Sequence, residues 1–256
     1  MNSTFQKLLY AHRGAAKELP ENTIESFKHA LVLGANALEM DAHMTRDGVL
    51  VIAHDEDGKR MCGRDDRIKD VSYAELQTWD AGHGHLDEQG HPSFRGKSFK
   101  IPTLDSILES FPDVPINIDV KQWDPPMVEE VIETIERHKA SSRICLASFR
   151  ARTLGKIRLC GFKGQTALSA GEVLLSLALP RIAKRTPYRG NAAQIPTKSG
   201  PLKLGNRRSI RRLQRSGCRV DFWTINNIEK AKELLELGAD GIMTDDPRAI
   251  APLFID

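Results

Sequence analysis

The chain has 256 residues, of which 40% are hydrophobic, and this length suits one domain with a large core and is usual for a (β/α)8 barrel. Its 37 basic and 34 acidic residues give a formal net charge of +3, which is too balanced to indicate a nucleic-acid-binding protein. We find no signal-peptide pattern, no apolar run near the roughly 18 residues of a membrane span and no C-x-x-C pair among the four cysteines. We therefore expect a cytoplasmic protein.

Short apolar runs alternate with helical patterns along the chain, and Asn22 and Thr23 are the predicted cap of the first helix. A polar stretch over residues 56–100 interrupts the alternation, is too long for an ordinary connection and carries one predicted helix. The predicted strands are 7–11, 37–43, 49–55, 115–121, 143–149, 163–169, 192–196, 219–226 and 239–245. The predicted helices are 23–34, 72–80, 101–111, 125–139 with Pro in its first turn, 150–161, 171–185, 206–217, 228–238 and 246–254.

The strand at 49–55 follows its predecessor too closely to belong to the main alternation, and we interpret it as an extra strand. Eight main strands then alternate with helices, which indicates parallel βαβ units. Eight such units in this length predict a closed (β/α)8 TIM barrel. We predict a single domain over residues 1–256, with residues 56–100 as a small insertion.

Polar residues stand at the predicted strand ends, where a barrel of this kind carries its active site. His12 and Arg13 directly follow the first strand, and His54 brings a second imidazole to the end of the extra strand. Each of these residues alone would more often have a structural role. Their joint placement at the ends of strands of one barrel indicates an active site.

Two carboxylates on the second predicted strand indicate a metal site. Glu39 and Asp41 are separated by one residue, so their side chains point to the same side of the sheet. Their mutual repulsion inside a barrel would be relieved by a divalent cation, and oxygen ligands suit Mg²⁺ or Ca²⁺. Asp119 and Lys121 repeat the spacing on a later strand. Asp119 would complete the metal site, and Lys121 would hold an anion.

The chain resembles the glycerophosphodiester phosphodiesterase family over nearly its whole length. The order and spacing of the matching motifs are specific to that family, which is known to use a TIM barrel, a divalent cation and two histidines. The motifs are AHRG (11–14), PENTIESF (20–27), ALEMDAHMTRDGVLVIAHD (37–55), IPTLDSIL (101–108), INIDVK (116–121), VDFWTIN (220–226) and DGIMTDDP (240–247).

The resemblance implies a role for each matching position. His12 and His54 would be the general acid and base, and Trp223 would line the pocket for the glycerol or alcohol part. Asp119 stands where the family usually has Glu in an N-x-E-x-K element, so its arm is one methylene shorter. The implied metal ligands are Glu39, Asp41 and Asp119. The implied phosphate-binding residues are Arg13 and Lys121.

The function that follows is metal-dependent hydrolysis of glycerophosphodiesters, the deacylated phospholipids, to sn-glycerol 3-phosphate and an alcohol. The nucleophile is either water or the glycerol 2-hydroxyl of the substrate.

Two alternative functions stay open at this point. One is a lysophospholipase D-type enzyme at a membrane surface, docked through the apolar and then basic residues 174–190, although a helix packed on the barrel is the reading we favour for that segment. The other is a non-catalytic phosphate-ligand-binding barrel. The head-group preference, the identity of the metal and the oligomeric state are not predicted.

Overall fold

The computed structural model describes residues 5–186 and 189–255. Its strands are β1 Leu8–His12, β2 Ala37–Met44, β3 Leu50–Ile52, β4 Ile116–Val120, β5 Ile144–Ala147, β6 Gln165–Thr166, β7 Ala192–Ile195, β8 Lys198–Ser199, β9 Leu202–Lys203, β10 Arg219–Phe222 and β11 Gly241–Thr244. Its α-helices are α1 Ile24–Val32, α2 Lys59–Cys62, α3 Tyr73–Leu76, α4 Leu104–Ser110, α5 Val128–Arg137, α6 Ala151–Leu159, α7 Ala170–Ala178, α8 Pro180–Ala183, α9 Arg207–Arg215, α10 Ile228–Leu237 and α11 Pro247–Ile250.

Parallel strands form a ring in the order β6, β5, β4, β2, β1, β11, β10, β7. A parallel bridge between Ala167 and Ala192 joins the two ends of this series, and the Leu168 amide donates to the Ala192 carbonyl at 2.8 Å. The predicted TIM barrel is therefore confirmed. Strand β3 pairs antiparallel with β2 outside the ring, as expected for the extra strand.

Alternation along the strands separates an apolar outer layer from a mainly polar interior. On β2, Leu38 and Met40 belong to the large hydrophobic core that also contains residues of the surrounding helices. The intervening side chains point inward, because successive residues of a strand face opposite sides. The Gln194 amide reaches across the interior to Asn117 Oδ1 at 2.6 Å. The barrel therefore holds polar groups along much of its axis, beside a small apolar cluster of Leu8, Tyr10, Ala37 and Met243, and it buries most of its apolar surface against helices.

A buried ion pair lies in the barrel interior on β10. Arg219 Nε lies 2.9 Å from Asp221 Oδ2, and both side chains are almost fully inaccessible to solvent. A Cβ atom at Gly241 would come within 2.3 Å of Asp221 Oδ1, so glycine makes room for this carboxylate on the neighbouring strand. Removing either charged partner would leave an uncompensated charge in a buried interior.

Residues 56–100 form a compact layer beside β3 with its own hydrophobic cluster, which includes Val51, Leu76 and Trp79. Helix α3 was predicted, and Ser72 and Glu75 form a capping box at its start. Helix α2 and the 3-10 helix Ile68–Asp70 were not predicted, because they are too short to show a periodicity. The single domain with this stretch as an insertion stays a prediction, and residues 1–4, 187, 188 and 256 lie outside the described residues.

Two predicted helices differ from the structure near prolines. The helix predicted over 125–139 begins at Val128, so the prolines precede it instead of occupying its first turn. The helix predicted over 171–185 is divided into α7 and α8, because Leu179 adopts a non-helical conformation before Pro180. Helix α7 begins after Ser169, whose hydroxyl accepts a hydrogen bond from the Glu172 amide.

One predicted strand was too long, and one hairpin was not predicted. The strand predicted over 163–169 is reduced to the two residues of β6, which the barrel bridge at Ala167 extends. The short hairpin of β8 and β9 turns at Gly200, which adopts a φ of +54°, and its exposed residues showed no alternation of apolar and polar positions. In the described part of the chain no helix is long and apolar enough to cross a membrane.

Candidate active site

The carboxyl ends of β1, β2 and β4 bring the predicted site residues together. His12 lies opposite Glu39 in the register of β1 and β2, and Asp41 lies opposite Asp119 in the register of β2 and β4. Parallel strands end at the same mouth of a barrel, so residues distant in sequence share one layer there.

His12 is held by a carboxylate on each side. Its Nδ1 donates a hydrogen bond to Asp245 Oδ1 at 2.6 Å, and its Nε2 lies 3.9 Å from Glu39 Oε2. Burial alone would lower the pKa of His12, but the charge of Glu39 and the hydrogen bond to Asp245 outweigh it and raise that pKa. The imidazole is thereby fixed with Nε2 directed toward Glu39.

Glu39 and Asp41 are buried side by side, but nearby positive charges stabilise the ionised form of Asp41 more than that of Glu39. Burial and then the charge of Asp41 raise the pKa of Glu39 to about 8. Burial would also raise the pKa of Asp41, but the Lys121 ammonium and the Arg13 guanidinium hold it below its usual value. Asp41 also accepts a hydrogen bond from the Asn22 amide at 3.1 Å.

Lys121 links the carboxylates of β2 and β4. Its Nζ lies 2.9 Å from Asp41 Oδ1 and 2.8 Å from Asp119 Oδ2. The other oxygen of Asp119 is buried without a hydrogen-bond partner, and burial raises the pKa of this carboxyl although Lys121 opposes the shift. An acceptor left bare in this way has unused capacity for a cation or a donor.

Among the described residues, no three or more His, Cys, Asp or Glu side chains already stand in an arrangement that would hold a metal ion. The donor set at the mouth still fits a hard divalent cation, because it offers only carboxylate oxygens. Glu39 has a strongly raised pKa, and Asp119 Oδ1 has no partner. Both observations indicate carboxyl groups whose ionised form the neighbouring side chains do not fully stabilise.

Arg13 follows β1 in a left-handed conformation with a φ of 59°, which is rare for a non-glycine residue and concentrates at functional sites. Its amide donates to the backbone carbonyl of Glu39 at 3.0 Å and to Glu39 Oε2 at 3.2 Å. Its guanidinium lies between Glu21 Oε1 at 3.3 Å and Asp41 Oδ2 at 3.4 Å. The turn therefore directs this cation into the mouth of the barrel.

His54 is oriented by its sequence neighbour and, through it, by the insertion. Its Nδ1 donates to Asp55 Oδ1 at 2.7 Å, and Asp55 Oδ2 accepts from Arg60 Nε at 2.7 Å. Arg60 also donates to both oxygens of Glu21, at 2.8 and 2.7 Å, and Glu21 contacts Arg13. One guanidinium from α2 therefore joins the loops that carry His54 and Arg13.

Trp223 follows β10 and packs edge-on against Phe149, with 5.7 Å between ring centroids. Phe149 is 79% exposed, and the Lys121 ammonium lies 5.5 Å from the centroid of its ring. These contacts bring Trp223 to the side of the mouth that carries Lys121.

Sequence reasoning missed several contributors to this site. Asp245 comes directly before the predicted last helix, but Asp246 is the residue that caps this helix, and Asp245 binds His12 instead. Its position directly after the last strand was the signal. Arg60 and Phe149 had no distinguishing pattern. Asn22 was predicted as part of the first helix cap, but Thr23 is the residue that caps this helix, and Asn22 donates to Asp41. Glu21 accepts a hydrogen bond from Arg13.

Comparison with known proteins decides the family. The sequence model of the glycerophosphoryl diester phosphodiesterase family matches residues 12–249. The chain belongs to this family. The resemblance noted in the sequence is thereby confirmed, and every candidate site residue named above lies within the matched range.

Relatives of known name agree with the family. The chain is 30% identical to a lysophospholipase D of Homo sapiens, over 93% of this chain and 82% of the relative. It is also 30% identical to a glycerophosphodiester phosphodiesterase of Bacillus altitudinis, over 93% and 94% of the two chains. A solved structure of an Oleispira antarctica phosphodiesterase with the product sn-glycerol-3-phosphate shares the fold, with a TM-score of 0.78, 22% identity and 96% coverage of each chain.

Proposed function

We propose that this protein hydrolyses glycerophosphodiesters to sn-glycerol 3-phosphate and an alcohol. The observation that carries the proposal is a pair of imidazoles, each held through Nδ1 by a carboxylate, beside a buried cluster of carboxylates and cations at one barrel mouth. The name of the Bacillus altitudinis relative and the product in the Oleispira antarctica structure support the same reaction.

His12 and His54 move the protons of the reaction. An oxygen nucleophile attacks phosphorus while the bond from phosphorus to the alcohol oxygen breaks. Because Nδ1 of each ring is engaged by Asp245 or Asp55, Nε2 is the atom that exchanges a proton. One Nε2 accepts the proton of the nucleophile, and the other gives a proton to the leaving oxygen.

The nucleophile is either water or the 2-hydroxyl of the substrate glycerol. Attack by the hydroxyl would give a cyclic phosphate, which water then opens. Rapid quenching of a time course distinguishes the routes, because a cyclic glycerophosphate accumulates and decays only on the second one.

Arg13 and Lys121 bind the phosphoryl oxygens, and Trp223 lines the pocket for the organic part of the substrate. Glu39, Asp41 and Asp119 would hold the divalent cation, either Mg²⁺ or Ca²⁺, and this cation would supply charge neutralisation at the non-bridging oxygens when bound. Asp119 Oδ1, buried without a partner, is available to such a ligand.

The proposal is tested by release of glycerol 3-phosphate from metal-stripped protein to which Mg²⁺, Ca²⁺ or Mn²⁺ is returned. We expect release only with a divalent ion, and we expect His12→Ala and His54→Ala each to lower kcat by about 100-fold or more. His91→Ala is the matched control, because its imidazole is exposed in the insertion. Calorimetric titration with each ion should also show weaker binding by Glu39→Gln and Asp119→Asn.

Turnover near the wild-type rate in either histidine variant would refute the proton-transfer assignment. Tight binding of glycerol 3-phosphate without turnover in any metal would instead support a non-catalytic phosphate-binding barrel. Melting temperatures of all variants establish that a loss of activity does not reflect unfolding.

A second candidate is lysophospholipase D activity, which the name of the human relative favours. The segment 174–190 does expose apolar side chains, including Leu179 and Ile182, and residues 187 and 188 of it lie outside the described residues. However, Lys184 lies beside Gly217, just before β10 begins, and therefore at the barrel end opposite to the histidines. Choline release from lysophosphatidylcholine and sedimentation with anionic vesicles would test this candidate.

A further inference from the structure

A cleft of about 440 Å³ opens directly beside the candidate catalytic residues, with His54 and Lys121 in its wall. Its outer part is formed by the insertion and by the loops after β4 and β5. The side chains that determine its charge are Arg67, Lys69, Lys121, Arg150, Glu56 and Asp124. A group attached to the phosphate held by Lys121 would extend into this space.

Cations outnumber carboxylates in the cleft, and they differ in how they are paired. Lys121 is paired with the carboxylates of β2 and β4, and Lys69 Nζ lies 3.5 Å from Asp124 Oδ2. In the part of the chain that the structure describes, neither Arg67 nor Arg150 has a carboxylate within 4.0 Å. Two guanidinium groups are therefore available to an anion from the substrate.

Trp123 lines the same cleft and presents its ring to Arg150, whose guanidinium lies 4.8 Å from the ring centroid. An aromatic face is the usual partner of a quaternary ammonium group. Here the protein supplies its own cation to that face, so a trimethylammonium group would have to displace Arg150 and approach Arg67 and Lys69. The positive charges of these side chains therefore repel a cationic head group that carries no anionic group of its own.

We infer that this cleft binds the alcohol half of the substrate and selects alcohols that carry their own anionic group, such as a carboxylate, through Arg67 and Arg150. The inference rests on the proposed phosphodiesterase function and names its substrate class. The carboxylates of Glu56 and Asp124 also line the cleft, and they would attract an ammonium group on the same alcohol, as in an amino acid.

Two diesters that differ by one carboxylate provide the test: glycerophosphoserine and glycerophosphoethanolamine. We expect kcat/KM to favour glycerophosphoserine by about three- to tenfold, the net effect of one ordinary hydrogen bond, because solvent screens the charges at this partly exposed site. In Arg150→Gln and Arg67→Gln the ratio should fall toward one, and Arg150→Gln should also improve turnover of glycerophosphocholine. Arg152→Gln is the matched control, because this exposed arginine on α6 does not line the cleft.

Equilibrium binding separates this inference from the proposed function. The His12→Ala protein should bind glycerophosphoserine more tightly than glycerophosphoethanolamine, and adding Arg150→Gln should remove the difference. This result would support the cleft even if the wild type hydrolyses neither diester. Equal binding of the two diesters, or a preference that survives both arginine substitutions, would overturn the inference whether or not the enzyme turns over.

Discussion

At the scale of the residue, Arg60 connects two loops of the candidate site without being one of its predicted residues. It donates to Asp55, which orients His54, and to Glu21, which contacts Arg13. A planar guanidinium can engage two carboxylates in fixed directions at once, and an ammonium cannot reproduce that geometry. We therefore regard Arg60 as a positioning residue.

Replacement of Arg60 by alanine should lower kcat by about 10- to 100-fold, as is common for groups that orient a reacting side chain. Asp55, which binds His54, would lose its hydrogen bond from Arg60. Because the surroundings of His54 would then differ, the pH dependence of kcat should also change. Arg60→Lys should recover only part of the rate. Steady-state kinetics across pH measures both effects.

Arg64→Ala provides the control for this prediction, since Arg64 is an exposed arginine of the same insertion. A loss of thermal stability in Arg60→Ala with an unchanged pH profile would show a purely structural role.

At the scale of the element, α6 contains a glycine that its surroundings do not require. A Cβ atom at Gly155 would have no heavy atom within 4 Å apart from its chain neighbours and the nearby backbone of its own helix, and the φ of Gly155 is not in the left-handed region. Glycine in a helix interior costs stability, because the unfolded chain gains freedom and the helix gains no side-chain contact. Gly155→Ala should therefore raise the free energy of unfolding by about 0.5–1 kcal/mol, measured by urea denaturation.

Gly84→Ala provides the contrasting variant. A Cβ atom there would lie only 1.8 Å from the backbone oxygen of Arg60, so the chain would have to shift at the residue that supports both site loops. If both substitutions stabilise the protein, or if neither does, the free space around a Cβ atom does not determine the effect of these glycine substitutions.

At the scale of the whole molecule, Glu18 links the N-terminal part of the chain to its last α-helix, α11. It accepts hydrogen bonds from Arg248 on α11 at 2.7 and 2.9 Å and lies 2.8 Å from His29 Nε2 on α1. The hydrogen bonds of Arg248, against an opposing effect of burial and with the help of His29, lower the pKa of Glu18 from 4.5 to about 2.

The stability that Glu18 contributes should therefore depend on pH. A carboxyl whose pKa is lower in the folded state stabilises the fold above its unfolded pKa and loses that contribution as pH falls through the folded value. Glu18→Gln should be less stable than the wild type at neutral pH, and the difference should shrink between pH 4.5 and about pH 2. Urea unfolding at several pH values measures it.

Glu109→Gln is the matched control, because this glutamate is exposed on α4. A difference between Glu18→Gln and the wild type that stays constant down to pH 2 would contradict the assigned ion pairs.

The sequence by itself determined the number and order of the barrel strands and most of the predicted candidate site. Apolar runs of strand length alternate with helical stripes, and the local hydrophobic pattern is enough to distinguish the two. The spacing of Glu39 and Asp41, like that of Asp119 and Lys121, already places each pair on one side of its strand. Short helices, the break at Pro180 and the hairpin at Gly200 escaped this reasoning, because they are shorter than a period.

Only the tertiary structure decided the partners of these groups. Asp245 reaches His12 across 233 positions of sequence, and Arg60 reaches Glu21 across 39, because barrel closure and the packing of the insertion bring them together. The bare oxygen of Asp119 and the placement of Arg150 over Trp123 likewise depend on neighbours from other strands and loops. Hydrogen bonds, burial and electrostatic compensation are properties of a three-dimensional neighbourhood, and local sequence specifies only the residues that enter it.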